Sequence, residues 1–80
     1  MTTTLDLLTV GKEATIVKVE GDSKLRRRLF DMGVTPGAKV VFRKKAPFGD
    51  PIEITIRGYE LSLRLQEATN VIIRIDRCSR

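Results

Sequence analysis

Hydrophobic and polar residues alternate over much of this 80-residue chain, which is the pattern of β-strands that are buried on one face. The alternation is clearest in IEITIR (52–57) and LSLRL (61–65), and the Gly58-Tyr59 pair predicts a hairpin turn. Further stretches that are rich in β-branched residues predict strands at 13–20, 39–45 and 71–75. The hydrophobic pattern therefore predicts five strands.

One stretch, SKLRRRLFDM (23–32), departs from this alternation and predicts a short helix. Leu25, Leu29 and Met32 are spaced by four and three residues, which places them on one face of a helix. Gly33 follows directly and can adopt the left-handed conformation that ends many helices. We expect this helix to lie against the core through the three apolar residues, with its arginines directed outward.

Five short strands and one helix leave too few residues for an open sheet with protected edges. The sequence therefore predicts a mainly β fold, a small SH3-like antiparallel barrel with the helix inserted after the first strand. At this length the chain, 1–80, forms a single domain. The polar segments 1–4 and 77–80 are expected to be flexible tails, and the apolar segment 5–10 is expected to pack as a helical turn or an extended lid.

The composition excludes most catalytic chemistry. The chain has no histidine, which is the commonest general base near neutral pH, and one cysteine, Cys78. Its carboxylates are scattered and its glycines occur singly, so neither an acid–base pair nor a phosphate loop is indicated. The sequence predicts a non-enzymatic protein with no cofactor and no tight metal site. The lone cysteine and the lack of a signal-like or membrane-spanning segment predict a cytoplasmic location.

The net charge of +5 favours an anionic partner. Candidate contact residues are the arginine run of the helix, the lysines that end the 39–45 strand, and two aromatic residues near turns. They are Arg26, Arg27, Arg28, Lys44, Lys45, Phe48 and Tyr59. Three interpretations of the arginine run stay open: a solvated helix face with an Arg27–Asp31 ion pair, a surface that docks a protein, and a nucleic-acid-binding surface.

Several short motifs, in this order and spacing, resemble the FeoA family, small cytosolic proteins that accompany the ferrous iron transporter FeoB. The resemblance runs from about Leu5 to Asp76. The motifs are Arg28-Leu29, Met32-Gly33, Pro36-Gly37, APFGDPI (46–52), Gly58, Leu63-Arg64 and Glu67-Ala68. The resemblance implies an SH3-like barrel with an inserted helix and implies no catalytic activity.

The resemblance also implies a role in bacterial Fe(II) uptake through contact with a cytosolic part of FeoB. It leaves open a third small Feo protein as a further partner, and it places the protein at the membrane only through the transporter. The helix arginines are then expected to contact an acidic surface, with Phe48 as the first candidate for an apolar anchor and Tyr59 as the second. The alternative function is an SH3-like RNA-binding module that uses the basic helix face. Because no DNA-binding helix pair precedes the domain, we expect a stand-alone accessory rather than a repressor.

Overall fold

The computed structural model describes residues 2–48 and 50–75, and this part of the chain is mainly β. The strands are β1 (Thr2–Thr4), β2 (Glu13–Val19), β3 (Lys39–Lys45), β4 (Ile52–Ile56), β5 (Tyr59–Leu63) and β6 (Val71–Ile75). The helices are α1 (Ser23–Asp31) and α2 (Leu65–Ala68), and a 3₁₀ turn, Leu5–Leu7, follows β1. The predicted elements are therefore all present, and β1 is an addition to them.

The strands form one antiparallel sheet in the order β1-β6-β2-β3-β4-β5. The mainly β fold is as predicted, but β1 and β5 are not hydrogen-bonded to each other, so the sheet does not close into a barrel. Instead α1 lies on the β5 side, where the Tyr59 hydroxyl donates to the Met32 carbonyl and Arg28 lines a groove with Ser62 and Leu63.

Strand β1 corrects the expectation of a flexible tail for residues 2–4, while the second predicted tail, 77–80, lies outside the described residues. Thr2 pairs with Arg74 and Thr4 pairs with Ile72, so β1 adds an edge strand to β6. Three consecutive threonines have high β propensity but no alternation of polar and apolar side chains, and the strand forms because β6 offers a free edge. The described part of the chain therefore has six strands, and α1 follows the second of them rather than the first.

The β4–β5 hairpin turns one residue earlier than predicted. Its two turn residues are Arg57 and Gly58, which have φ angles of +51° and +86°, and Ile56 pairs directly with Tyr59. Two-residue hairpin loops with positive φ at both positions match the twist of the flanking strands. Sequence reasoning identified the glycine but took the wrong neighbour as its partner. Tyr59 is consequently the first residue of β5.

The core lies between the inward face of the sheet and one face of α1. Leu29 is fully buried, and Leu25 and Met32 pack against the core with partial exposure, which confirms the predicted helix face. The other large, fully buried side chains are Leu5, Ile16, Val34, Val40, Phe42, Ile52, Ile54, Ile56, Leu63, Val71 and Ile73. The polar turn predicted after β5 is a single turn of helix, α2, and its residue Ala68 is also buried.

Candidate functional site

The arginine run lies on the exposed side of α1. Arg26 and Arg27 are exposed, and Arg28 directs a guanidinium nitrogen to 3.2 Å from the Glu67 carboxylate on α2. The predicted pair of Arg27 with Asp31 is not among the ion pairs of residues 2–48 and 50–75. Exposed ion pairs one helical turn apart are weak. Glu67, in contrast, comes from another helix, and only the tertiary structure brings it to Arg28.

Glu67 joins the two helices, and sequence reasoning gave it no role. Its side chain is only 10% exposed, one carboxylate oxygen accepts from the Arg64 N–H at 3.0 Å, and the other faces Arg28. A buried carboxylate requires such partners because burial removes its water. The signal was a glutamate at the third position of a short helix, where its side chain can accept from the backbone N–H of the residue just before the helix.

A groove of about 280 Å³ opens beside this ion pair. It is lined by Arg28, Pro51, Ser62, Leu63, Arg64 and Glu67. Arg64 forms no ion pair with any other residue that the structure describes, while Glu67 already partners Arg28. One of the two arginines that line the groove therefore has no carboxylate partner in the described ranges, and a free guanidinium can bind a carboxylate from outside the molecule.

Lys44 and Lys45 end β3, beyond a register shift that follows Phe42. The shift pairs Lys45 with the buried Ile52, and the Lys45 ammonium lies 5.9 Å from the centroid of the Phe42 ring. Phe48 follows in the β3–β4 loop and is 96% exposed. These three candidates therefore share one end of the sheet, and Phe48 has the free side chain that an anchor needs.

Two hydrogen bonds hold the described part of the loop that carries Phe48. The Ala46 N–H donates to the Pro51 carbonyl at 3.1 Å, which closes the base of the loop. Asp50 accepts from the Leu65 N–H at 2.9 Å, which ties the loop to the start of α2. The position of Phe48 is thus set from both sides of the loop.

Tyr59, the second anchor candidate, holds the end of α1. Its hydroxyl donates to the Met32 carbonyl, and Arg57 donates to the Gly33 carbonyl at 3.2 Å and to the Thr35 hydroxyl at 2.6 Å. The hairpin turn is therefore fastened to the chain that leaves the helix. Because Tyr59 starts β5 at the far end of the hairpin, it lies about 14 Å from the loop that holds Phe48, the length of β4.

The structure thus distributes the seven candidates over three places. The three arginines lie on α1, the two lysines and Phe48 lie at one end of the sheet, and Tyr59 lies at the opposite end. Sequence reasoning also missed two exposed apolar residues, Leu7 (66% exposed) and Val10 (61% exposed). Leu5 and Leu8 in the same segment are buried, and nothing in the sequence distinguishes the two pairs.

The candidate residues in the described ranges offer cationic and apolar surfaces. Among residues 2–48 and 50–75, no three side chains of the acidic, cysteine or histidine type come together in a way that could hold a metal ion. No helix in the same ranges is long and apolar enough to cross a membrane. What the described surface can do chemically is to bind anionic and apolar groups of a partner.

Solved structures define the class of protein. A FeoA-like protein from Clostridium acetobutylicum is 32% identical, covers 99% of this chain and 92% of its own, and superposes with a TM-score of 0.90. FeoA from Stenotrophomonas maltophilia, described as a prokaryotic SH3 domain protein and complexed with zinc, is 26% identical over 90% of this chain and 89% of its own, with a TM-score of 0.77. The molecule is a small SH3-like domain.

The sequence comparisons identify the family. The model of the FeoA domain matches residues 3–75. A fusion protein of Fe(2+) transport protein A and the Fe(2+) transporter FeoB from Porphyromonas gingivalis is 34% identical over 71 residues, which is 89% of this chain. The chain belongs to the FeoA family, which confirms the resemblance found in its motifs. It spans only 8% of the length of that fusion protein.

Proposed function

We propose that this protein is a non-enzymatic accessory of bacterial ferrous iron uptake that contacts a cytosolic part of a FeoB-type transporter. The observation that carries the proposal is the Porphyromonas gingivalis relative, whose name joins a transport protein A and a FeoB transporter in one chain. Fusion keeps two proteins together at equal amounts, which favours a functional association between them.

The arginine surface, which we define as Arg26, Arg27 and Arg28 on α1, is the contact we propose. Arg28 is oriented by Glu67, while Arg26 and Arg27 form no ion pair with any other residue in the described ranges. Arginine is enriched at protein interfaces because its planar guanidinium binds carboxylates through two hydrogen bonds. Such charges speed and orient the encounter with an acidic surface.

A retention assay with detergent-solubilised FeoB-type transporter tests this surface. Arg26→Glu with Arg27→Glu should weaken retention about tenfold at low salt because two attractive charges become repulsive. The difference should shrink at high salt, which screens exposed charges. Lys18→Glu with Arg74→Glu changes the net charge equally on exposed positions of β2 and β6, and this control should bind as the unmodified protein does.

Two results would contradict the proposal. Equal retention of the helix variant and the unmodified protein at low salt would remove the arginine surface as the contact. Retention of RNA with a defined footprint, together with no retention of transporter, would instead support an RNA-binding module. Circular dichroism of both variants establishes that a loss of binding is not a loss of fold.

A further inference from the structure

One end of the sheet brings together two segments that are distant in sequence. The Gly11 N–H donates to the Phe42 carbonyl at 2.7 Å, and the Phe42 N–H donates to the Lys12 carbonyl at 3.0 Å. The segment before β2 therefore lies beside β3 near the point where β3 ends. We call residues 10–12 and 43–48 the loop end.

The loop end exposes two large apolar side chains. Phe48 is 96% exposed and Val10 is 61% exposed. Three exposed large apolar residues elsewhere in the described chain, Val17, Phe30 and Tyr59, are only 43–44% exposed. Single exposed apolar residues are ordinary, but an almost fully exposed phenyl ring with a second apolar residue in the neighbouring segment indicates a surface that binds something apolar.

The same two segments carry four cations and no acid: Lys12, Arg43, Lys44 and Lys45. All four are exposed, and none forms an ion pair with another residue in the described ranges. Carboxylates lie close by, since Glu13 follows Lys12, Glu53 is the cross-strand partner of Lys44 and Asp50 lies two residues beyond Phe48. None of the three forms an ion pair with any of the four cations. The loop end is therefore apolar at its tips and cationic around them.

We propose that the loop end binds the surface of an anionic lipid bilayer, with Phe48 inserted among the lipids. Apolar tips enter the boundary between headgroups and acyl chains, while the flanking cations contact lipid phosphates. Lysine, which makes up three of the four cations, is depleted at protein interfaces but suits a diffuse array of phosphates as a point charge. The composition thus favours a lipid surface over a protein partner.

This contact is separate from the arginine surface and does not depend on the transporter. A protein that is bound to the bilayer surface diffuses along that surface, and it therefore meets a membrane-embedded partner sooner than a protein that diffuses through bulk solution. Arg26 and Arg27 lie on α1, whereas Phe48 lies in the β3–β4 loop, so the two surfaces can be altered independently.

Co-sedimentation with vesicles tests the proposal on the intact protein alone. The vesicles contain either phosphatidylcholine only or phosphatidylcholine mixed with phosphatidylglycerol. We expect binding to the anionic vesicles that falls as salt rises, and Phe48→Ser should weaken it about tenfold because a buried phenyl ring is lost. Lys44→Glu with Lys45→Glu should abolish it. Arg26→Glu with Arg27→Glu, which changes the charge equally on α1, should leave most of it.

A fluorescent variant tests the insertion itself. The chain has no tryptophan, so Phe48→Trp places a single reporter at the tip. Its emission should shift to shorter wavelength with anionic vesicles and not with phosphatidylcholine alone. The proposal is overturned if the unmodified protein does not bind anionic vesicles, or if the Lys44/Lys45 and Arg26/Arg27 double variants lose binding to the same extent. It is also overturned if the Phe48→Trp variant binds anionic vesicles with no change in its emission wavelength. Loss of transporter retention by Phe48→Ser, with no vesicle binding at all, would assign the loop end to a protein partner.

Discussion

Gly33 and Tyr59 form a contact whose energetic cost can be separated into two parts. Gly33 has a φ of +93°, and a Cβ atom at this position would collide with the Tyr59 hydroxyl, which donates to the Met32 carbonyl. Gly33→Ala should therefore lower the free energy of unfolding by ~1–2 kcal/mol for the left-handed conformation and by ~1 kcal/mol more for the displaced hydrogen bond. The expected total is about 2–3 kcal/mol.

A double-mutant cycle isolates the part that depends on the hydroxyl. Tyr59→Phe alone should cost ~1 kcal/mol because it removes one partly exposed hydrogen bond. The ring carbon that bears the hydroxyl lies 3.5 Å from the Cβ position, an ordinary contact, so a phenyl ring leaves room for alanine at position 33. The double variant should therefore cost no more than Gly33→Ala alone, which gives a coupling energy of ~1 kcal/mol.

Gly37 provides the matched control for this cycle. Its φ of +92° is nearly the same as that of Gly33, but a Cβ atom added there meets nothing within 4 Å. Gly37→Ala should show only the backbone cost, and its effect should add to that of Tyr59→Phe. Urea unfolding followed by circular dichroism measures all five variants. If the changes in the free energy of unfolding for Gly33→Ala and Tyr59→Phe simply add, the hydrogen bond between Tyr59 and the end of α1 does not contribute to stability and this reasoning is wrong.

Two further substitutions test the placement of α1 and of the loop that carries Phe48. Leu29→Ala should lower the free energy of unfolding by ~2–4 kcal/mol because it opens a cavity at a fully buried position. Urea unfolding measures the change, and an unchanged midpoint would mean that this helix face is not in the core. Asp50→Ala should cost ~1 kcal/mol and increase amide exchange at Leu65, whose N–H loses its acceptor, whereas Asp50→Asn keeps an oxygen there and should exchange slowly. Equal exchange in all three proteins would exclude that hydrogen bond.

The strands of the core and the apolar face of α1 could be predicted because their signals are local and periodic. Ile52, Ile54 and Ile56 alternate with half-buried residues along β4, as the sequence pattern requires. Strand β1 was missed because three threonines have no periodicity, and its formation depends on the free edge of β6. The hairpin turn was misplaced by one residue because a glycine shows where positive φ is tolerated but not which neighbour shares it.

The candidate surfaces show the same division between local and long-range information. Composition and exposure rules identified the arginine run and Phe48 as outward-facing, and the structure agrees. The sequence could not show that Arg28 has its partner on α2, because three strands separate Arg28 from Glu67 along the chain. It also could not show that Tyr59 and Phe48 lie at opposite ends of a hairpin and cannot act as one anchor.

The sequence by itself determined the family, the mainly β class, the position of α1 and the absence of histidine chemistry, since each follows from residue identity, order or short-range spacing. Only the tertiary structure decided that the sheet stays open, that the β4–β5 hairpin holds the end of α1, and that residues 10–12 lie beside β3 near its exposed cationic end. The physical reason is that periodicity reports which side of its own element a residue occupies. Which distant segments become neighbours depends instead on the pairing of strands, and that pairing is settled by the packing of the whole core.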